Sequence, residues 1–282
     1  MKALIDGDIL VYEAGMAAEI GWKSDGIAPF EYVEGLLESS VTTICAAAKC
    51  NEPPLIFLST DNNFRYDIAA TRPYKGTRKR GARPFHYDNI RAYLPARWDT
   101  IICDGFEADD GMSIYQYSNL HKKNTIICSR DKDLWIVPGW HYTWGRGLQP
   151  KAGPTWVDEL GWLELHSRVV TPSNPAKKPY TVHKCKGAGL KFFYAQCIMG
   201  DPVDNIPGLP GSAAMSAFNA INPCNSEKEC HEVVKELYKI YTEGDEEKAN
   251  SYLLEQAQLL WMVREYNEDG TLKMWSAPNV EY

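Results

Sequence analysis

The chain has 282 residues, enough for one large α/β domain with or without a small helical module. Hydrophobic residues make up 44% and charged residues 24%, an ordinary balance for a globular protein with a sizeable core. Thirty Lys and Arg against 37 Asp and Glu leave a net charge of −7, which on its face argues against a nucleic-acid partner. No apolar run approaches the roughly 20 residues of a membrane helix, so no membrane association is expected. The first residues carry no leader pattern, so a cytoplasmic location is expected. The eight cysteines, at 45, 50, 103, 128, 185, 197, 224 and 230, form no C-x-x-C pair and read as reduced core thiols.

In chain order, four short apolar runs stand out, each followed by acid. Ala3-Leu4-Ile5 leads into Asp6, and Leu55-Ile56-Phe57-Leu58 into Asp61. Thr100-Ile101-Ile102-Cys103 leads into Asp104 and Glu107, and Thr125-Ile126-Ile127-Cys128 into Asp131. Continuous runs of this kind predict parallel strands buried on both faces. Between them, residues 31–49 place Val33, Leu36, Leu37, Val41 and Ile44 on one side of a helix, and 109–122 form a second candidate. The alternation predicts a doubly wound, mostly parallel α/β sheet. His141-Tyr142-Thr143-Trp144 reads as a further strand, 156–166 as a helix, and the three-proline stretch 171–180 as a loop. Beyond Gly189 the chain reads as helical to about Tyr266, most clearly over 227–241 and 250–265.

Ligands of such sheets bind outside the carboxyl ends of the strands. A single acid there commonly caps a helix, but four acid-bearing strand ends exceed what capping requires. Adding the Gly200-Asp201-Pro202-Val203-Asp204-Asn205 segment gives nine candidate metal ligands: Asp6, Asp61, Glu107, Asp109, Asp110, Asp131, Asp133, Asp201 and Asp204. Converging carboxylates need counter-cations, and all-oxygen ligation selects Mg²⁺ or Mn²⁺ over zinc. Two such ions suit hydrolysis of a phosphodiester bond.

Residues 65–83 have the opposite character. Arg65, Arg72, Lys75, Arg78, Lys79, Arg80 and Arg83 stand against one acid, Asp67, giving +6 locally and leaving −13 for the rest of the chain. Tyr66 and Tyr74 interleave as stacking faces. Cations near a carboxylate site suit a polyanionic substrate. The turn Gly200 to Gly211, before a helix starting near Ser212, offers backbone N–H groups to a phosphate.

These motifs resemble the 5′-to-3′ exonucleases and flap endonucleases, of bacteriophage type and similar to the nuclease domain of bacterial DNA polymerase I. The resemblance rests on Ile5-Asp6-Gly7-Asp8, Asp61, Tyr74-Lys75-Gly76-Thr77-Arg78, Glu107-Ala108-Asp109-Asp110, Ser129-Arg130-Asp131-Lys132-Asp133-Leu134 and Gly200 to Gly211. It implies a PIN-like α/β core over 1–186, with a short arch or gateway at 65–97. A helix–three-turn–helix element and helical C-terminal region would fill 187–282. Asp6, Asp61, Glu107, Asp109 and Asp110 would hold a first Mg²⁺ or Mn²⁺, and Asp131, Asp133, Asp201 and Asp204 a second. Lys75 would contact the scissile phosphate, assisted by Arg78 or Arg80, with Tyr74 stacking on a base. Arg65, Arg72, Lys79, Arg83, Gly208, Gly211 and Ser212 would contact DNA, with K⁺ at the turn. The implied partner is duplex DNA with a 5′ end, nick or flap, and an RNA–DNA hybrid. The enzyme would be a monomer, in the host cytoplasm if phage-encoded, and its products would carry 5′-phosphates. The family's second turn glycine and lysine are replaced by Ala213 and Met215, and only 76–82 separate Lys75 from Arg83, a short arch.

Three other readings fit less well. A haloacid-dehalogenase-like phosphatase needs Gly-Thr where Ile9-Leu10 stand, and leaves the basic segment unexplained. A non-catalytic DNA-structure-binding protein predicts eroded carboxylates. A PIN-like ribonuclease lacks the Gly200 to Gly211 turn.

Overall fold

A computed structural model describes residues 1–77, 81–145, 151–174 and 178–278. The elements run β1 (Lys2–Asp6), α1 (Gly7–Gly21), α2 (Phe30–Ala47), β2 (Leu55–Asn63), α3 (Arg65–Ile68), α4 (Tyr87–Arg97), β3 (Thr100–Gly105), α5 (Ala108–Ser118), β4 (Thr125–Cys128), β5 (Gly139–Thr143) and β6 (Ala152–Val157). They continue through β7 (Trp162–Val170), β8 (Tyr180–Ala188), α6 (Gly189–Met199), α7 (Ala214–Ile221), α8 (Glu227–Tyr241) and α9 (Glu246–Leu260). Short 3₁₀ turns occupy Leu120–Lys122 and Asp133–Ile136. The chain forms two compact units, the first from Met1–Phe64, Lys79–Val157 and Met262–Lys273, the second from Arg65–Arg78, Asp158–Trp261 and Met274–Tyr282.

The first unit holds a six-stranded sheet in the order β3-β2-β1-β4-β5-β6. Every pair is parallel except β5–β6, so the expected doubly wound, mostly parallel sheet is present. Side chains alternate across it. Ala3, Ile5, Ile56, Leu58, Ile126 and Cys128 join the core made with α1, α2 and α4. On the other face, α5 comes close enough that a side chain at Gly111 would meet Cys103 and Phe57. Each such Leu or Ile, fully buried, contributes about 1.5–3 kcal/mol. β3 is an exception to the expected burial: as the edge strand it leaves Ile102 50% exposed.

The second unit packs α6–α9 with an antiparallel β7–β8 ribbon. Here the sequence reading needs correction. Residues 156–166, expected as a helix, are instead the end of β6, a connection over 158–161 and the first half of β7. The run Trp162-Leu163-Glu164-Leu165-His166-Ser167-Arg168-Val169-Val170 alternates in a strand register with β8. Its β-branched end favours the pleated surface over the helix. β8 runs directly into α6. The helix expected over 250–265 starts earlier, at Glu246, where the Asp245 side chain accepts the Lys248 N–H, and it ends at Leu260. A helix over Gly7–Gly21 was not foreseen.

Gly7 sets how closely α1 approaches β2. A Cβ there would lie 2.6 Å from the Phe57 carbonyl oxygen and 2.7 Å from Ile56. Alanine at a helix position otherwise gains up to about 1 kcal/mol over glycine. The clash with main chain reverses that sign, so Gly7→Ala is expected to lower Tm, and a Tm equal to or above wild type would contradict this packing.

Candidate metal and nucleic-acid site

In a parallel sheet the residues that follow the strands emerge at one edge, and here they are acids. Asp6 ends β1 and is buried. Its Oδ1 accepts the Ile9 N–H at 3.1 Å, capping α1, and its Oδ2 accepts the Ser129 hydroxyl at 2.8 Å. Ser129 Oγ in turn accepts the Asp131 N–H at 3.0 Å, tying the end of β4 to that of β1. Burial, then the neighbouring charges of Asp8 and Asp131, push the Asp6 carboxyl up to about 7.

Asp8 was part of the first motif but not among the nine candidates. It is held by two groups, the Ser59 N–H at 3.0 Å and the Arg91 guanidinium at 3.0 Å, while Arg91 also donates to the Ser59 carbonyl. Desolvation still raises its carboxyl despite Arg91. The only sequence signal for Asp8 was its place in Asp6-Gly7-Asp8; Arg91 gave none. At the end of β3, Asp110 is fully buried, with Oδ2 on the Glu107 N–H at 3.2 Å and Oδ1 on the Val263 N–H at 3.0 Å. The buried Cys103 thiol is pushed up to about 12, first by desolvation and then by the charges of Asp110, Asp8 and Asp109. The first unit thus brings Asp8 and Asp131 each within electrostatic reach of Asp6, and Asp8, Asp109 and Asp110 within reach of Cys103.

The remaining acids have their own settings. Asp133 pairs with Lys132 at 2.7 Å and donates its N–H to Asp131 Oδ1. Asp61 lies within β2, not after it; its side chain is 96% exposed and 4.0 Å from Arg83. Asp201 and Asp204 belong to the second unit. Asp201 Oδ1 accepts the Val203 N–H at 2.8 Å, and its main chain bridges to Ile206. Asp204 Oδ2 accepts the Tyr74 hydroxyl at 3.0 Å, and its carbonyl accepts the Lys75 N–H at 2.8 Å. Among the described residues no three His, Cys, Asp or Glu side chains form a ready metal-binding group. The donors are all carboxylate oxygens, and the buried Asp6 among them carries a raised pKa. That donor chemistry fits a hard divalent cation, whose charge would favour the ionised form of each acid.

Several expected DNA contacts change role. Arg65 is 1% exposed, and its guanidinium donates to the carbonyls of Leu259 and Trp261 at the end of α9. It satisfies carbonyls that the helix leaves open and has no surface for a phosphate. Tyr74 is 5% exposed, with its ring against Tyr66 and the Lys75 ammonium, so no face is open for a base; Tyr66, 53% exposed, offers one. Gly208 donates its N–H to Gln256 at 3.0 Å and accepts from Tyr252, so it shapes the turn from inside. Its positive φ and a close approach to Gly200 exclude a side chain. Arg72, Arg83 and Gly211 are exposed, Ser212 is half-buried, and Lys75 is held beside Asp204 with a left-handed φ of 54°. Arg78, Lys79 and Arg80 lie outside the described residues.

No family model matches the chain, and no curated protein matches it. Among solved structures it is similar to bacteriophage T5 D15 protein co-crystallized with metal ions, at a TM-score of 0.58 and 15% identity over 92% of this chain and 89% of that one. The T5 D15 fold is present here. T5 5′-exonuclease with divalent zinc ions bound is also similar, at a TM-score of 0.54 and 15% identity over 90% of this chain and 88% of that one. So is a D15 flap endonuclease pseudo-enzyme–product complex with DNA and metal ions, at 0.58 and 14% over 92% and 88%. The D15 likeness runs through both units. No helix of the described residues is long and apolar enough to cross a membrane.

The raised Asp6 pKa fixes a sign. A carboxyl that holds its proton more tightly when folded contributes stability at low pH, and this is lost as pH rises from about 4 through 7. Asparagine keeps the shape without the charge. In EDTA at pH 8, Asp6→Asn is expected to be more stable than wild type by about 2–4 kcal/mol, a rise of several degrees in Tm. The gain should shrink as pH falls and vanish below about pH 4. A loss of stability at pH 8 would contradict the crowding described.

Proposed function

We propose that the protein is a metal-dependent 5′-to-3′ exonuclease or structure-specific 5′ nuclease acting on DNA. The observation that carries the reading is the buried Asp6 at the end of β1, acted on by the charges of Asp8 and then Asp131 and tied to the end of β4 through Ser129, on a fold shared with D15. The nine acids are the proposed metal ligands, Asp6, Asp61, Glu107, Asp109, Asp110, Asp131 and Asp133 on the first unit and Asp201 and Asp204 on the second. Bound Mg²⁺ or Mn²⁺ would supply the charge that activates water and offsets charge on the leaving 3′ oxygen.

The chain's own groups do the rest. Asp8, held by Arg91 and Ser59, keeps the β1 end fixed against β2. Lys75, whose ammonium lies 5.0 Å from the Tyr74 ring, would hold a phosphate, with Arg78 and Arg80 assisting by sequence. Tyr66 stacks a base, while Arg72 and Arg83 draw in the backbone. Gly211 and Ser212 offer main-chain groups at the turn. A potassium ion there is part of the reading: the Ile206, Gly208 and Leu209 carbonyls each accept one bond and keep a second lone pair. DNA with a 5′ end, nick or flap is the proposed substrate, with an RNA–DNA hybrid as a further one. A monomer in the cytoplasm, releasing 5′-phosphate products, completes it.

The test is a cleavage panel of blunt duplex, nicked circle, 5′ flap and RNA–DNA hybrid with Mg²⁺ or Mn²⁺. Cleavage should require the ion and begin at 5′ ends or flaps. Asp131→Asn with Asp201→Asn should abolish it while DNA binding persists, and Lys75→Ala should lower turnover by at least tenfold, roughly a lost phosphate contact. Cleavage that survives both Asn substitutions and EDTA would overturn the proposal.

A further inference from the structure

The β7–β8 ribbon plays no part in the chemistry above. It has nine residues on each strand, about 30 Å at ~3.3 Å per residue. Its register is unbroken from Trp162 opposite Ala188 to Val170 opposite Tyr180. Alternation assigns the side chains to two faces. One carries the buried Leu163 and Cys185 near the α6 end. The other carries Arg168, Lys184 and Lys186, all exposed, and ends at Tyr180, 55% exposed.

Charge is what distinguishes this second face. Its one acid, Glu164, is bonded to His166 at 3.0 Å. Among the described residues, none of Arg168, Lys184 and Lys186 pairs with a carboxylate. In a chain with seven more acids than bases, that clustering is not a matter of average composition. The register sets Arg168 opposite Val182, Lys184 opposite His166 and Lys186 opposite Glu164, so the three exposed cations are spread along one face where a negatively charged partner can reach each of them. Lys184 and Lys186, two residues apart, are separated by about 6.7 Å along the strand, close to the step between neighbouring phosphates of one nucleic-acid strand. Lys191, the next cation in the chain, is committed to the Asn222 carbonyl at 2.9 Å and is not part of this face.

We propose that the Arg168, Lys184 and Lys186 face of the ribbon binds the phosphate backbone of duplex DNA, supplying sequence-independent affinity and no chemistry. This rests on the reading of the chain as a DNA nuclease. Phosphate contacts of this kind position a duplex without reading its sequence, and each one adds to the salt dependence of binding.

The experiment compares wild type with the combined Arg168→Ala, Lys184→Ala, Lys186→Ala variant. A labelled 5′-flapped duplex is titrated by fluorescence anisotropy in EDTA, from about 50 to 200 mM salt. The variant should bind about tenfold or more weakly at low salt, with a log K against log[salt] slope shallower by about two to three. Lys184→Arg with Lys186→Arg should keep wild-type affinity. Equal Tm values exclude a folding defect, and cleavage at saturating DNA should be unchanged. If wild type binds and the triple variant matches it in affinity and slope, the ribbon proposal fails and the nuclease reading stands. If wild type binds no DNA, both fall. A loss confined to vesicles of anionic lipid, with DNA binding intact, would also overturn the proposal.

Discussion

The crowding of carboxylates at the ends of parallel strands is the constraint on which the rest of the structure depends. β1 lies between β2 and β4, so whatever follows these strands emerges at the same edge. Asp6 is buried there, with Asp8 two residues on and Asp131 after the neighbouring strand. The protein manages the repulsion with short-range donors. Ser129, Ser59, Arg91 and the first N–H groups of α1 each hold an oxygen of these acids or a neighbouring atom. Gly7 lets α1 start hard against β2, and that start is itself capped by Asp6. Capping and metal ligation are therefore compatible uses of one carboxylate. The cap takes one lone pair and leaves others.

Charge placement reverses the message of the bulk value. A net charge of −7 suggested no nucleic-acid partner, yet the acids gather at strand ends while exposed cations gather elsewhere. Not every cation in the basic segment serves the same purpose. Arg65 is spent inside the second unit on the end of α9, whereas Arg72 and Arg83 remain on the surface. The β7–β8 ribbon adds a second group of surface cations that lies far along the chain from the first.

Much of the fold was legible. β1 to β4 were announced by apolar runs ending in acid, and α2 and α8 by clean helical periodicity, because a half-buried helix must repeat its apolar positions. Three features were not. α1 begins inside the carboxylate motif, and its Gly and Ala content gives a weak helical signal. The β7 strand was read as helix because its first half, Trp162-Leu163-Glu164-Leu165, fits either period. The segment Met262–Lys273 joins the first unit through the Val263 N–H on Asp110 and Arg264 on the Ile136 carbonyl, contacts that no local pattern reveals. Within the candidate site, residue types and strand-end positions were readable, but not which acids are buried. Asp61 and Asp6 look alike in sequence, and one is exposed while the other is sealed. Tyr74 likewise looked like a stacking face until its hydroxyl was found on Asp204.

A hard divalent cation held by these strand-end acids would stabilise the folded protein. The direct measurement is the thermal midpoint of the wild-type protein at pH 8 as Mn²⁺ is added to the chelated, dialysed sample. An ion that binds the folded state alone stabilises it by RT ln(1 + [L]/Kd), so Tm should rise steadily with Mn²⁺ and should not rise with an equal ionic strength of NaCl. A midpoint that stays flat over the whole Mn²⁺ range would contradict the account.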